Sequence, residues 1–330
     1  MRFVTAVLLA SVCFGTTGTA QALGPEASAA SVGAARILIG GGALGIVALA
    51  MYVAGRRRGA IGTSVAPTPG AGSSSLGPRH RFPSWLIVII GAGGVLGYQP
   101  AFFAGTAANG VAVGTVVALG SAPVITGAFD WLLRRRYPGH RWLVATAIAT
   151  SGVGLLAAAT DPGRAAIDPL GLLASLGAAT SYAVYTLAAK ALLDRGWTPT
   201  GSMGALFGGA AIVSLPLLAT TDASWLATGP GLAMALWLGL VTTTLAYLLF
   251  GAGLRGLAPA TVSTLTLAEP LTAGILGVVV LGETLSGGAV VGLLVLATGI
   301  TVLATGGMRR LPRPVGSRLI PRRSDVGSVR

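Results

Sequence analysis

The residues best suited to chemistry in this chain are a few polar side chains set inside long apolar runs. Glu269 is the first of them, because it directly precedes Pro270 near the middle of the ninth apolar run. A proline removes one backbone donor and leaves carbonyl groups one turn back without their usual partner. A carboxylate beside such a break could bind a cationic solute or a proton. It could equally tie two neighbouring helices together, and the sequence leaves both interpretations open.

Hydroxyl, amide and aromatic groups in other runs are further candidates. Tyr182 and Tyr185 are three residues apart and Thr243 and Tyr247 are four apart, so each pair shares one helical face. The complete set of candidates for a substrate or proton pathway is Glu269, Tyr98, Gln99, Asn109, Tyr182, Tyr185, Trp237, Thr243, Tyr247, Thr16 and Thr17. The alternative is that these groups only hydrogen-bond or pack along and between helices.

Two of the candidate segments carry a prediction about the backbone as well. Residues 15–19, Gly-Thr-Thr-Gly-Thr, are expected to unwind locally within the first run. Residues 98–100, Tyr-Gln-Pro, are expected to form a polar break in the third.

Three other charged residues lie at the ends of apolar runs. Asp130 precedes Arg134 by four residues and is expected to pair with it. Arg36 opens the second run, and we expect it to snorkel to the outer surface or to pair with an acid such as Glu26. Lys190, near the end of the sixth run, is expected to snorkel to the inner surface.

About ten apolar runs must position these residues. A helix of about 20 apolar residues crosses a hydrocarbon core of about 30 Å, and it satisfies its own backbone hydrogen bonds there. Only 9% of the 330 residues are charged, against about 25% in soluble domains. The sequence therefore predicts an all-α integral membrane protein. Its predicted spans are 3–22, 33–53, 83–104, 109–132, 142–160, 169–193, 202–220, 231–254, 257–281 and 286–306.

The first span has a second interpretation. Residues 1–22 carry an early arginine, an apolar stretch and a small-residue end, as a cleavable signal peptide would. Cleavage would leave nine spans, whereas retention leaves ten.

The distribution of charge predicts the topology. The net charge is +13, which in a soluble protein would suggest nucleic-acid binding. Here every second connection is basic and the alternate ones are not, as expected when the basic loops of a membrane protein are cytoplasmic, so nucleic acid is rejected as a partner and the lipid bilayer is expected. Both termini are predicted to be cytoplasmic, in the inner or plasma membrane. Residues 54–82 are predicted to form a flexible loop, and residues 307–330 a basic tail that is either a topological anchor or a ligand for anionic lipids.

The sequence predicts neither a cofactor nor an enzyme. Cys13 is the only cysteine, and His80 and His140 both lie in basic loops, so we expect no metal site. Without a phosphate-binding loop or a hydrolase motif, energy would have to come from a substrate gradient or an ion, with a proton as the first candidate. An integral-membrane enzyme and a non-transporting sensor or assembly protein are the alternatives to transport. Oligomeric state, transport direction and substrate identity are not predicted.

A weak internal repeat divides the chain into residues 1–160, residues 161–306 and the tail. Pro270 lies 147 residues after Pro123, and the Ala-Thr pair at 297–298 matches that at 149–150. Tyr98 and Tyr247 occupy roughly equivalent places. Five spans separate the copies, and an odd number inserts the second copy upside down. Inverted repeats of this kind hold a substrate near the bilayer midplane between their halves.

The same segments carry a family resemblance over residues 5 to about 306. They are residues 14–23 with their glycines, Ala34-Ala35-Arg36, Pro123 with its apolar run, Ala268-Glu269-Pro270, Leu281-Gly282-Glu283 and Ala297-Thr298-Gly299-Ile300. The chain resembles the EamA-type branch of the drug/metabolite transporter superfamily. The resemblance implies a ten-helix bundle that opens alternately to either side and exports small metabolites. One departure is Arg134-Arg135-Arg136, which stands where the family's first repeat often carries Leu-Gly-Glu, so a role for that acid does not transfer.

Overall fold

The computed structural model describes residues 1–62, 82–135, 137–160 and 168–306. The predicted basic tail (307–330) and most of the predicted loop at 54–82 lie outside the described residues, as do Arg136 and His80.

Within the described ranges, ten helices are long and apolar enough to cross a membrane, and all ten predicted spans are confirmed. They are α1 (Arg2–Ala22), α2 (Ala29–Arg57), α3 (Ser84–Gly110), α4 (Val113–Arg134), α5 (His140–Ala159), α6 (Pro169–Asp194), α7 (Pro199–Ala219), α8 (Gly229–Gly256), α9 (Pro259–Leu281) and α10 (Gly287–Thr305). Helix α2 continues to Gly62 beyond its apolar part.

Short polar residues set the starts of three helices in the second part of the chain. Asp168, Thr198 and Thr228 precede α6, α7 and α8, and each side chain accepts a hydrogen bond from a backbone N–H in the first turn. Each of these helices also has a proline in its first two positions, where a missing N–H costs nothing. These caps fix where each span begins.

The helices depart from regular geometry at three places, and only the last of these was suggested by the sequence. Gly110 has φ 82° and ψ 157°, and it separates α3 from α4 without the predicted loop at 105–108. Residues Trp237–Leu245 within α8 form a π-helix, which the sequence did not predict. Helix α9 is interrupted between Leu265 and Ala268, just before Glu269 and Pro270, as the proline suggested.

Two backbone predictions were wrong. Helix α1 is continuous through residues 15–19, because Gly15 packs directly on α9, where a β-carbon would overlap the Glu269 carbonyl and the Thr272 side chain. The glycine therefore serves close helix contact rather than unwinding. Helix α3 also continues through Tyr98–Pro100, and proline is tolerated there as it is in many membrane helices.

The most extensive helix contacts join the first five spans to the last five. Helix α2 packs on α7, and α5 packs on α10. Helix α1 packs on α8 and α9, and α6 packs on α3 and reaches the end of α4. Glycines bring the backbones together, as at Gly152 and Gly292, where β-carbons would overlap the facing helix.

Candidate functional site

Arg36 lies inside the bundle, and its predicted position at the outer surface is wrong. Its Nε donates a hydrogen bond of 3.0 Å to Thr243 Oγ1, and its Nη2 donates one of 3.0 Å to the Thr242 carbonyl. The sequence placed the start of the second span at residue 33, which put Arg36 in the first turn. Because α2 begins at Ala29, Arg36 is two turns inside the helix.

The π-helix of α8 supplies the partners of Arg36. In this segment Thr243 Oγ1 and Thr244 Oγ1 donate to carbonyls five residues earlier, those of Leu238 and Gly239. Thr244 Oγ1 also lies 3.0 Å from the Gly40 carbonyl of α2. The wide turn thus offers a carbonyl and a hydroxyl to one guanidinium. Short π-helical stretches are often found at functional sites.

Glu269 is the second charge near the centre of the bundle, and it comes from the other half of the chain. It is half-buried, and its backbone lies against Gly15 of α1. Within the described residues no ion pair joins its carboxylate to a cation. The site therefore presents both a positive and a negative group.

A cluster of aromatic rings fills the space beside Arg36. Tyr185 and Tyr247 share a hydrogen bond of 3.1 Å between their hydroxyls, and the rings of Tyr247 and Phe207 have centroids 3.9 Å apart. The Tyr182 hydroxyl lies 3.0 Å from Thr266 Oγ1, beside the interruption of α9. The structure thus brings Tyr182, Tyr185 and Tyr247 together. Phe207 and Thr266 belong to the cluster but were not among the candidates.

Two cavities with shared lining residues lie beside this cluster. The inner one, of about 30 Å³, is bounded by Arg36, Tyr98, Gln99, Thr243 and Tyr247 among others. A larger cavity of about 430 Å³ lies between α2, α3 and α7, and it shares Gln99 with the inner one. Gln99 Oε1 is buried and has no hydrogen-bond partner within the described residues, so it is an acceptor left for a solute or water.

Thr16 and Trp237 line a separate cavity of about 380 Å³ between α1, α8 and α9. Trp237 Nε1 donates a hydrogen bond of 3.0 Å to Thr16 Oγ1. The neighbouring Thr17 Oγ1 is buried and has no partner within the described part of the chain. This cavity and the one of about 430 Å³ both lie toward the side at which α1, α3 and α7 end.

Asn109 is not part of this arrangement. Its amide donates to the Asp168 carbonyl at 2.9 Å and accepts from the Asp168 N–H at 2.6 Å. These two bonds fix the start of α6 against the end of α3, which gives Asn109 a structural task.

The opposite side of the bundle is closed by polar contacts between helices. The expected pair of Asp130 and Arg134 is confirmed, with 2.6 Å between Arg134 Nε and Asp130 Oδ1, and Arg134 also binds Asp194 of α6 at 2.6 Å. Lys190 donates to the Leu254 carbonyl at 2.9 Å. Trp142 Nε1 donates to the Ala260 carbonyl at 2.9 Å, which links α5 to α9.

Comparison with known proteins gives a family for this architecture. Residues 169–305 match the model of the EamA-like transporter family. The "Uncharacterized transporter YwfM" of Bacillus subtilis is 38% identical over 299 residues, which cover 90% of this chain and 92% of that protein. The chain belongs to the EamA-like transporter family. It is thus a multi-pass membrane protein and a transporter in the general sense of that family.

Two more distant similarities agree with the EamA-like assignment. The "Uncharacterized inner membrane transporter YicL" of Salmonella typhimurium is 26% identical over 70% of this chain and 77% of that protein. A solved crystal structure matches with a TM-score of 0.70 at 21% identity, covering 93% of this chain and 98% of that one, which supports the fold alone.

Sequence reasoning missed the inward position of Arg36 and the carbonyl of Thr242. One signal was available for Arg36, since charged residues inside membrane helices usually face the bundle interior or a cavity. No signal was available for the Thr242 carbonyl, because the apolar pattern of α8 does not distinguish a π-helix from an α-helix.

Proposed function

We propose that this chain is a secondary transporter that exports small amphipathic solutes by alternating access. The observation that carries the proposal is the pair of opposite charges inside the bundle, Arg36 from the first half and Glu269 from the second. Charged groups are costly in a membrane interior, by roughly 2.5–3.5 kcal/mol each on insertion scales, so a functional reason for them is expected.

The chemistry of the site indicates the kind of solute. A guanidinium binds a carboxylate through two parallel hydrogen bonds, and a carboxylate binds an ammonium group or a proton. The tyrosine rings beside Arg36 offer apolar faces with polar edges. A zwitterionic solute with an apolar or aromatic portion satisfies all three.

Two features support alternating access between inverted five-helix halves. The helix pairing is the one that an exchange of residues 1–160 with residues 161–306 would preserve. The two larger cavities beside the site lie toward one side, whereas Arg134, Lys190 and Trp142 make polar contacts between helices on the other. If the side with these polar contacts faces the cytoplasm, a solute released on the opposite side is exported.

The experiment that tests binding is a thermal-shift screen of the purified protein against pools of zwitterionic, cationic, anionic and neutral solutes. Ligand binding to the folded state raises apparent stability, by about 2.7 kcal/mol at one hundred times the dissociation constant. We expect zwitterionic pools to raise the melting temperature most. Stabilisation by neutral pools alone would exclude the proposed roles of Arg36 and Glu269.

The arginine distribution supports an orientation in the bacterial inner membrane with both termini in the cytoplasm. Epitope tags at the two ends should therefore bind antibody only after the membrane is permeabilised. A tag in the connection between α7 and α8, near Asp222, should bind in intact spheroplasts. Labelling of the two ends from opposite sides would contradict the orientation and the even number of spans.

A further inference from the structure

A large apolar groove lies between α2, α3 and α7, on the lipid-facing surface and away from the charged site. Its volume is about 1000 Å³. Its walls include Ile46, Leu49 and Ile212, whose side chains are 69%, 63% and 76% exposed. The groove is therefore open to the hydrocarbon along its length.

The groove exists because glycines replace side chains along its base. A β-carbon on Gly45 would lie 3.2 Å from the Cα of Gly208, so α2 and α7 touch through their backbones there. Gly42 also lines the groove, but a β-carbon on it would meet no atom within 4 Å. A side chain at position 42 would thus fill the groove without disturbing the helix contact.

One end of the groove carries the groups that mark a membrane interface. Trp85 and Trp197 line this end, where α3 and α7 begin. Tryptophan is enriched at the level of the lipid headgroups, because its ring has an apolar body and one N–H donor.

Arg195 precedes Trp197 by two residues and contacts the chain just before Trp85. Its guanidinium donates hydrogen bonds to Ser84 Oγ at 3.2 Å and to the Phe82 carbonyl at 2.8 Å. Within the described residues no carboxylate pairs with Arg195, nor with Arg56 and Arg57 at the same membrane face. A fixed cation without a counter-ion therefore lies at the interfacial end of an apolar groove.

We propose that the groove binds an anionic phospholipid, with an acyl chain along Gly42 and the phosphate at Arg195. The apolar length of the groove fits the chain, the tryptophans fit the glycerol region, and the arginines complement the negative headgroup. A second copy of the protein fits this face less well, since it would bring its own Arg56, Arg57 and Arg195 to the same membrane face.

The test measures lipid binding to the delipidated full chain by native mass spectrometry. The probes are phosphatidylglycerol and phosphatidylcholine with identical palmitoyl and oleoyl chains. The variants are Gly42→Leu, which fills the groove, and Arg195→Gln, which removes the cation. Gly93→Leu is the matched control, because Gly93 is also a membrane-helix glycine whose β-carbon would meet no atom within 4 Å, and it does not line the groove.

We expect phosphatidylglycerol to bind wild type and Gly93→Leu at least tenfold more tightly than phosphatidylcholine does. Gly42→Leu should weaken both lipids at least tenfold, and Arg195→Gln should remove the preference for phosphatidylglycerol. Equal binding of the two lipids to wild type, or unchanged phosphatidylglycerol binding to Gly42→Leu, would overturn the proposal. Loss of a protein dimer in Gly42→Leu without a change in lipid binding would overturn it in favour of a second copy.

Discussion

Replacing Arg36 with glutamine should weaken solute binding by roughly 10- to 100-fold. Hydrogen bonds to a charged group contribute about 1.5–3 kcal/mol, and each 1.4 kcal/mol corresponds to a factor of ten in the dissociation constant. The glutamine Nε2 stands where the arginine Nε does and can keep the hydrogen bond to Thr243 Oγ1, so the contact between α2 and α8 need not be lost entirely. The measurement is calorimetric titration with the ligand found in the thermal-shift screen.

Two further variants separate binding from packing. Arg36→Lys keeps the positive charge but loses the planar fork, so we expect a smaller loss of affinity than with glutamine. Arg255→Gln removes an exposed arginine at the end of α8 and should leave affinity unchanged. Wild-type affinity in Arg36→Gln, together with a lower melting temperature, would show that Arg36 only ties α2 to α8.

Replacing Glu269 with glutamine should reduce transport at least tenfold and remove its dependence on pH between 5 and 8. The substitution keeps the size and the hydrogen-bonding shape of the side chain but removes its charge and its ability to carry a proton. The loss should therefore concern coupling and the cationic end of the solute rather than the fold. The measurement is solute flux in proteoliposomes at several pH values.

Glu283→Gln is the matched control, because Glu283 is an exposed acid that follows the same helix outside its membrane-spanning part. It should transport as wild type does. If Glu269→Gln also transported as wild type at every pH, the proposed role of Glu269 in coupling would be wrong, and its use as a tie between α9 and α1 would remain.

Most of the fold could be predicted because the lipid bilayer restricts which structures can cross it. Lipid requires each span to satisfy its own backbone, so a count of long uncharged runs yields the spans directly. The pair of Asp130 and Arg134 was also predictable, because four residues along a helix bring two side chains onto one face.

The parts that could not be predicted depend on contacts between helices that are distant in the sequence. Gly15 was interpreted as a point of unwinding. Instead, Thr272 and the Glu269 carbonyl occupy the space that a side chain at position 15 would need, and the sequence cannot place them beside it. The depth of Arg36 depended on four residues at the start of α2, where Ala29 and Ala30 extend the helix outward. The π-helix of α8 makes its hydrogen bonds to α2 through Arg36 and Gly40, which are distant in the sequence.

The sequence identified many of the residues near the candidate site, but it did not predict how they are arranged. Tyr182, Tyr185, Thr243 and Tyr247 lie together, as shared helical faces suggested, and Tyr98 and Gln99 border the same cavity. Asn109 was chosen only because it is a polar residue in an apolar run, and it is used instead at the start of α6. Polarity marks a residue for attention, but only its partners show what it does.

The central claim is that a solute held between the two halves, at Arg36 and Glu269, is carried across the membrane. Counterflow tests it most directly, with proteoliposomes preloaded with the unlabelled ligand and supplied outside with a trace of the labelled form. The account predicts transient accumulation of label with wild type and none with the double variant Arg36→Gln, Glu269→Gln. Tight binding of the ligand without any counterflow by wild type would contradict it, and would indicate a membrane sensor in place of a transporter.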